Sequence, residues 1–428
     1  MTHSNPVTES GPAAAGTPNG PAPLGAITLL GFLVGRRDAI LAIASDRRWL
    51  WTGLMFTLAA GMAREYDAEY LPARPYVVFI PIAASLVASF LLYCVSFGFF
   101  FNRRESAQRF WPGYRSFLSL FWATAPLALL YAIPFERFLG EYDAALANMR
   151  TLGLVAVWRV ILFVRVVSIL GGVSFLRALW PVMLFGDLTV LAALILTPQP
   201  IVHFMGGVRL SPTISLISMT NSILAAWTIL LAPVWIIGSI VVHLTRKRVI
   251  FLEPYPLRRK ARPPWVLAGA SLAMWIVIAP AAQREQRLGH DADALLATNR
   301  IDEALAMMSA HTLAEFPPNY DPRPRVYYGD STPEVMPVMR AIVAHPPAEW
   351  VRRKYADKFE FDIMSRYREY PPLDDVLAIL RELPEGPEIA QRLLAPPWTT
   401  YQESDNDTPA RTALLAELQA MADRAGTP

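Results

Sequence analysis

The sequence predicts an all-α protein: a polytopic helical membrane bundle of about seven spans, followed by a small helical extramembrane domain at the C-terminal end. Three observations predict it. Hydrophobic residues make up 54% of the 428 positions and charged residues only 18%, with a mean hydropathy of +0.30, which is too apolar for a soluble chain. The apolar residues are concentrated in long runs between Trp49 and Ala282, and charge becomes dense from Gln283 onward. From Gln283 to Pro428 there are 16 Lys+Arg against 24 Asp+Glu, net −8, so the first 282 residues carry +11. A basic membrane half suits anionic lipid on the cytoplasmic leaflet, whereas an acidic tail is repelled by that lipid and by nucleic acid. No nucleic-acid partner is expected.

Residues 1–23 are small and polar, hold Pro6, Pro12, Pro18 and Pro21, and lack Lys and Arg, so they read as a disordered leader without the basic start of a signal peptide. Leu24 to Gly35 is apolar for about a dozen residues, too few to cross roughly 30 Å of hydrocarbon. With the charges Arg36-Arg37-Asp38 and Asp46-Arg47-Arg48 bracketing Ala39 to Ala44, residues 24–48 read as an interfacial amphipathic segment.

The bundle, 49–282, divides into spans at Trp49 to Ala63, Tyr76 to Phe101, Tyr114 to Phe135, Thr151 to Leu170, Phe175 to Thr197, Ile214 to Leu244 and Trp265 to Ala282. Charge in the short loops sets the orientation. With the N-terminus inside, inner segments hold 16 Lys and Arg and outer loops hold five: Arg64, Arg74, Arg137, Arg150 and Arg209. Seven crossings then place residues 283–428 outside, in the periplasm if the membrane is a bacterial inner one.

Pro81, Pro126, Pro181, Pro233 and Pro280 fall inside spans and each frees a backbone carbonyl, so bends are expected there. Ala84 with Ala88, Ser85 with Ser89 and Ser218 with Ser222 put small residues at helical spacing, a pattern of close helix contact. The tail reads as short amphipathic helices cut by proline, near Pro333 to Ala344, Ala348 to Met364, Leu373 to Leu383, Pro387 to Leu394 and Pro409 to Ala425. Asp293 to Leu296 and Ile301 to Met308 form a helical hairpin across Asn299 that resembles one tetratricopeptide unit, but no second copy follows at a fixed period. Arg325 to Tyr328 is the one strand-like stretch.

Charges inside the bilayer cost at least a few kcal/mol and mark candidate sites. Arg159 and Arg165 lie in the fourth span and Asp187 in the fifth. The tight link Gly171-Gly172-Val173-Ser174 sets residues whose numbers sum to about 345 at equal depth; Arg159 and Asp187 sum to 346. An intramembrane ion pair between Arg159 and Asp187 is therefore expected, roughly 16 Å from the inner end. Arg165, a second intramembrane charge, is level with Trp180 and able to stack or snorkel. Such a pair fixes registry or forms part of an anion or proton pathway; the spacing alone leaves both open.

Catalytic signals are absent. No histidines recur at i, i+4, no Gly-rich phosphate cradle ends in Lys-Ser/Thr, and the single cysteine, Cys94, rules out an internal disulfide or cysteine metal site. Gly269-Ala270-Ser271 lacks a placed histidine to activate its serine. No enzyme activity, cofactor or metal is expected. The basic loop carrying Arg246, Lys247, Arg248, Arg258, Arg259, Lys260 and Arg262 either contacts anionic lipid headgroups at the cytoplasmic face or only fixes orientation.

Ala63-Arg64-Glu65-Tyr66-Asp67, Tyr131 to Phe138, Trp158 to Arg165 and Phe316-Pro317-Pro318 to Asp321-Pro322 resemble stretches of an uncharacterised family of bacterial multi-pass membrane proteins, over most of the chain. That resemblance implies a membrane protein with no assigned activity and carries over no site residue. Two function classes follow. One is a non-enzymatic platform presenting residues 283–428 to a protein or envelope partner; the other is a secondary transporter or ion-coupled permease using the Arg159/Asp187 region.

Overall fold

The computed structural model describes residues 25–97, 110–196, 212–245, 262–324, 335–365, 373–394 and 416–423. Among these all regular structure is helical: α1 Gly25–Leu33, α2 Arg37–Ser45, α3 Arg48–Glu65, α4 Ile80–Phe97, α5 Phe110–Trp122, α6 Glu141–Gly171, α7 Phe175–Leu196, α8 Pro212–Thr245 and α9 Trp265–Ala297 make the bundle. The tail adds α10 Ile301–Ser309, α11 Val335–Ala344, α12 Glu349–Ser365, α13 Leu373–Glu382, α14 Gly386–Leu394 and a last helix, α15, at 416–423. Arg325 to Tyr328, residues 1–23 and all of the basic loop except Arg262 lie outside the described residues.

Among the described residues six helical segments are long and apolar enough to cross a membrane: Pro75–Phe97, Phe110–Arg137, Glu141–Gly171, Phe175–Ile195, Ser215–Thr245 and Trp265–Ala297. They coincide with the second to seventh spans expected from sequence. The protein is a multi-pass membrane protein with an all-α fold. The first expected span, Trp49 to Ala63, lies in α3, which is 18 residues long but has Arg48, Arg64 and Glu65 at its ends and Thr52, Gly53, Thr57 and Gly61 within. α3 packs against α4, α5, α9 and the 3-10 helix Ala125–Ala132, with Trp49, Phe56, Ala59 and Ala63 buried. A helix sheathed by others is spared most contact with lipid tails, so small and hydroxylated residues are tolerated along it. Gly25 sits against Arg262 to Pro264 at the start of α9, while Tyr66 and Asp67 meet Gln283 and Gln286, about 27 Å further along that helix. Between residues 25 and 66 the chain therefore passes from one end of the bundle to the other.

Residues 24–48, expected to lie along the interface, fold as α1 and α2 docked on the bundle. Phe32, Ile40 and Ile43 are fully enclosed in the same core as Trp49, Phe56, Tyr93 and Phe117, while Ile27, Leu30 and Val34 point outward. Gly35, with φ +76°, makes the turn between them.

The five prolines act differently. Pro126 ends α5's helical register, and the third span continues as the 3-10 helix Ala125–Ala132, with Thr124 donating its hydroxyl to the Phe121 carbonyl. Pro81 is at the first turn of α4, where no backbone donor is missed. Pro181, Pro233 and Pro280 stay inside α7, α8 and α9. The α4 serines do hold a helix contact: Trp122 donates its indole N–H to Ser85 at 2.8 Å, and the Ser89 and Tyr114 hydroxyls lie 3.2 Å apart. Ser222 instead donates to the carbonyl of Ser218 in its own helix.

α9 runs without interruption through Gln283, so the expected boundary at 282/283 falls inside one helix. Its first half buries Ala268, Trp275, Ala279 and Ala282 in the bundle, and its last turns bury Ala292 and Leu296 in the tail core. Asn299, with φ 59°, turns the chain so that α10 packs back on α9. α11 pairs with α12 and α13 with α14; α11 also touches α13, and α12 lies between α10 and α14. Among the described residues the end of α9 with α10, α11 with α12, and α13 with α14 thus form three stacked helical hairpins of unequal length, each touching its neighbours. Unequal lengths explain why the sequence shows no fixed period.

Candidate functional site

Polar chemistry concentrates where the tail meets the bundle. The Arg137 guanidinium donates to Asp67 at 2.8 Å and to both Glu285 carboxylate oxygens at 2.7 and 3.2 Å. These residues come from the loop after α3, the turn after the third span and the middle of α9. Gln283 receives the Leu71 backbone N–H at 2.8 Å and donates to the Tyr66 and Glu69 carbonyls at 2.9 Å; Gln286 donates to the Asp67 carbonyl at 2.6 Å. The loop is held by side chains because no regular partner satisfies its backbone groups. Burial pushes the Asp67 carboxyl above its usual range even though Arg137 pulls it down.

Above this floor lies the segment Phe316 to Pro324. Phe316 stacks on Tyr320 with centroids 4.7 Å apart and leans on Trp350 at 5.2 Å. Tyr320 donates to Asp293 at 3.1 Å, Tyr355 donates to the Arg323 carbonyl at 2.6 Å, and Lys358, nearly fully buried, reaches Asp321 at 2.6 Å and the carbonyls of Pro322 and Pro324. Burial raises the Tyr320 and Tyr355 hydroxyls above the ordinary tyrosine range, with Asp293 adding to it, so both stay protonated donors.

Pro318 and Asn319 lie over the Asp67–Ala68 loop and separate two clefts. The first, of about 610 Å³, is lined by Glu69, Tyr70, Arg74, His290, Asp293 and Asp321 among others, with Tyr70 and His290 rings 5.3 Å apart. Its acids are engaged: Glu69 by Arg74, Asp293 by Tyr320 and Asp321 by Lys358. The second, of about 590 Å³, lies between Arg64, Tyr131, Ile133, Glu136, Asn148 and Leu152. Sequence reasoning missed both clefts. Their signal was the quoted clusters around Asp67, Tyr131 and Pro318, which pattern alone could not place side by side.

The intramembrane charges are arranged differently from the sequence expectation. Among the described residues no ion pair joins Arg159 to Asp187. The Arg159 guanidinium sits over the rings of Phe121 and Phe163, 5.3 and 5.7 Å from their centroids, and its Nε is enclosed without a hydrogen-bond partner; so is Oδ2 of Asp187. Gly172, at φ 60°, closes the hairpin where expected, and the Ser168 carbonyl accepts from its N–H. The turn sets residues at equal depth, but depth leaves the angle around each helix free, and Arg159 turns toward α5 rather than α7. Arg165 likewise turns away from Trp180, donating to the Gly35 carbonyl at 3.3 Å and anchoring the α1–α2 turn. Trp180 packs instead on Trp235 and Gly238.

No group of three or more His, Cys, Asp or Glu able to hold a metal occurs among the described residues. Ser271 donates at 2.7 Å to the Ala268 carbonyl of its own helix. Comparisons with family models, with curated proteins and with solved structures found no match.

Proposed function

We propose that the chain is a non-enzymatic platform of a bacterial inner membrane, with the N-terminus cytoplasmic and the tail periplasmic, presenting its stacked hairpins to a protein or envelope partner. The observation that carries it is α9, a single helix that serves both cores. Such a helix, clamped at Gln283 and Glu285, holds the tail at a set height and angle over the membrane. Stacked helical hairpins offer extended surfaces of the kind repeat proteins use for binding. Seven crossings, with α3 as the first, agree with the charge bias of the loops and put the tail opposite the N-terminus. The bacterial assignment follows the resemblance noted above, and the basic loop is assigned to anionic headgroups at the cytoplasmic face.

Alkaline phosphatase fused after Pro428 is then active in a bacterial host, and a cytoplasm-only reporter there is silent; the opposite result rejects the orientation. Full-length tagged protein should retain envelope proteins that a chain ending at Arg300 loses. Identical co-purifying sets reject the platform. The permease reading keeps one supporting observation, the unbonded Nε of Arg159 in the span interior, though without the pair it was to use. Solute flux in proteoliposomes that disappears in Arg159→Leu would favour it.

A further inference from the structure

The second cleft has opposite charges at its rim and an apolar side that continues onto the outer face of the bundle. Arg64 is 72% exposed and touches only the edge of Glu65, at 3.3 Å among its described contacts. Glu136, across the cleft, is oriented by the Asn148 side-chain amide. Tyr131 forms part of the wall and lies within electrostatic range of both Arg64 and Arg159. Ile133 and Leu152 are 41% and 51% exposed, Ala156 is exposed one turn further along α6 on the same face as Leu152, and Leu154, Val157 and Ile161 make an exposed apolar stripe round the same helix. On the tail side the charges Glu141, Asp143 and Arg150 begin. The cleft therefore sits at headgroup depth, with its apolar side open to acyl chains.

We propose that this cleft binds one zwitterionic phospholipid with a phosphoethanolamine headgroup. Its phosphodiester meets Arg64 and the Tyr131 hydroxyl, its primary ammonium donates to Glu136, and its chains run from Ile133 and Leu152 past Ala156 onto the lipid-facing side of α6. Charge balance selects this occupant. Against Arg64 and Arg137 stand Glu65, Asp67 and Glu136, an excess of one carboxylate that disfavours a headgroup with net negative charge, while a bare cation brings no phosphate to Arg64, which Glu65 meets only at its edge. A choline headgroup has no N–H to give Glu136 and is bulkier. A volume of about 590 Å³ is of the size that takes a headgroup rather than whole acyl chains.

The test is a titration of full-length protein in detergent, read by native mass spectrometry, with chain-matched phosphatidylethanolamine, phosphatidylglycerol and phosphatidylcholine, and with soluble glycerophosphoethanolamine. The ethanolamine lipid should bind about tenfold more tightly than the glycerol lipid, as expected for one charge-assisted hydrogen bond gained and one repulsion avoided. Glu136→Gln should abolish that preference, and Arg64→Gln should weaken all three lipids. Equal binding of the three lipids by the unaltered protein overturns the proposal without reference to any variant. So does soluble headgroup binding as tightly as the lipid, which would mark a site for a water-soluble zwitterion.

Discussion

Arg137 and Glu285 stand 148 residues apart in sequence and meet through paired hydrogen bonds of 2.7 and 3.2 Å. This bidentate contact ties the end of the third span to α9 at the point where that helix leaves the bundle, and Asp67 joins from the other side at 2.8 Å. Paired N–H···O bonds of this geometry are stronger than a single-point ion pair.

Arg137→Ala should lower the stability of the detergent-solubilised protein by about 1–2 kcal/mol, the value for a charged hydrogen bond discounted because the side chain is 32% exposed. A double-mutant cycle with Glu285→Gln should show coupling of about 1 kcal/mol. Additive effects would mean that the contact contributes nothing to holding the tail.

Gly238 should not accept a side chain. A Cβ there would lie 1.9 Å from Cε3 of Trp180, whose ring is already wedged against Trp235 at 5.4 Å. Gly238→Ala should therefore force α7 and α8 apart and lower the thermal unfolding midpoint, at a cost of about 1–3 kcal/mol. Trp180→Leu in the same chain should restore part of the loss. A midpoint unchanged by Gly238→Ala would show that the two helices do not pack this closely.

Much of the fold was legible because hydrocarbon demands long apolar runs and proline and glycine punctuate them. The Gly172 turn and the tail helices after Val335 fall where the sequence places them. What the sequence could not supply was angle. The hairpin sum gave Arg159 and Asp187 a common depth, yet the direction of a side chain around its helix depends on which neighbours pack there, here Phe121 and Phe163. Nor could it join Asp67, Arg137 and Glu285, since each is an ordinary loop or helix-end charge until folding brings three distant segments together. The continuity of α9 was hidden by a composition change at Gln283 that reads as a domain boundary but falls in mid-helix.

Glu315 supplies a pH-dependent test in the tail. Its carboxylate accepts the Thr312 backbone N–H at 2.9 Å and faces the His311 ring at 3.0 Å, which holds its pKa near 2 against an ordinary 4.5. A carboxyl depressed on folding stabilises above its unfolded value and loses that contribution as pH falls through the folded one. Glu315→Gln keeps the capping-box acceptor and removes the charge. The gap in unfolding midpoint between the two proteins should be fully open above pH ~5 and should close toward pH ~2. A gap that persists unchanged at pH ~2 would show that the charge is not its source.

The last prediction concerns the intramembrane charges. Since Arg159 lies over Phe121 and Phe163 and no ion pair joins it to Asp187 among the described residues, each charge should act alone. Arg159→Leu loses a desolvated cation–π contact of about 2 kcal/mol but also removes a charge that costs about 2.5–3.5 kcal/mol in a span interior, so its net effect should stay within about 1.5 kcal/mol. Asp187→Asn removes a carboxylate with one enclosed, unbonded oxygen and should be similarly mild. The double variant should equal the sum of the singles to within about 0.5 kcal/mol, because the two groups share no partner. Single variants that are each severe, with a double variant restored close to the parent, would mean that the two charges do pair in the membrane and that α6 or α7 is rotated from the arrangement described. A further comparison separates packing from charge: Arg159→Lys keeps the cation but removes the planar guanidinium that stacks on two rings, so it should destabilise more than Arg159→Leu. If lysine is instead the milder change, the positive charge itself is needed at that depth, and the permease reading gains the support it lacks.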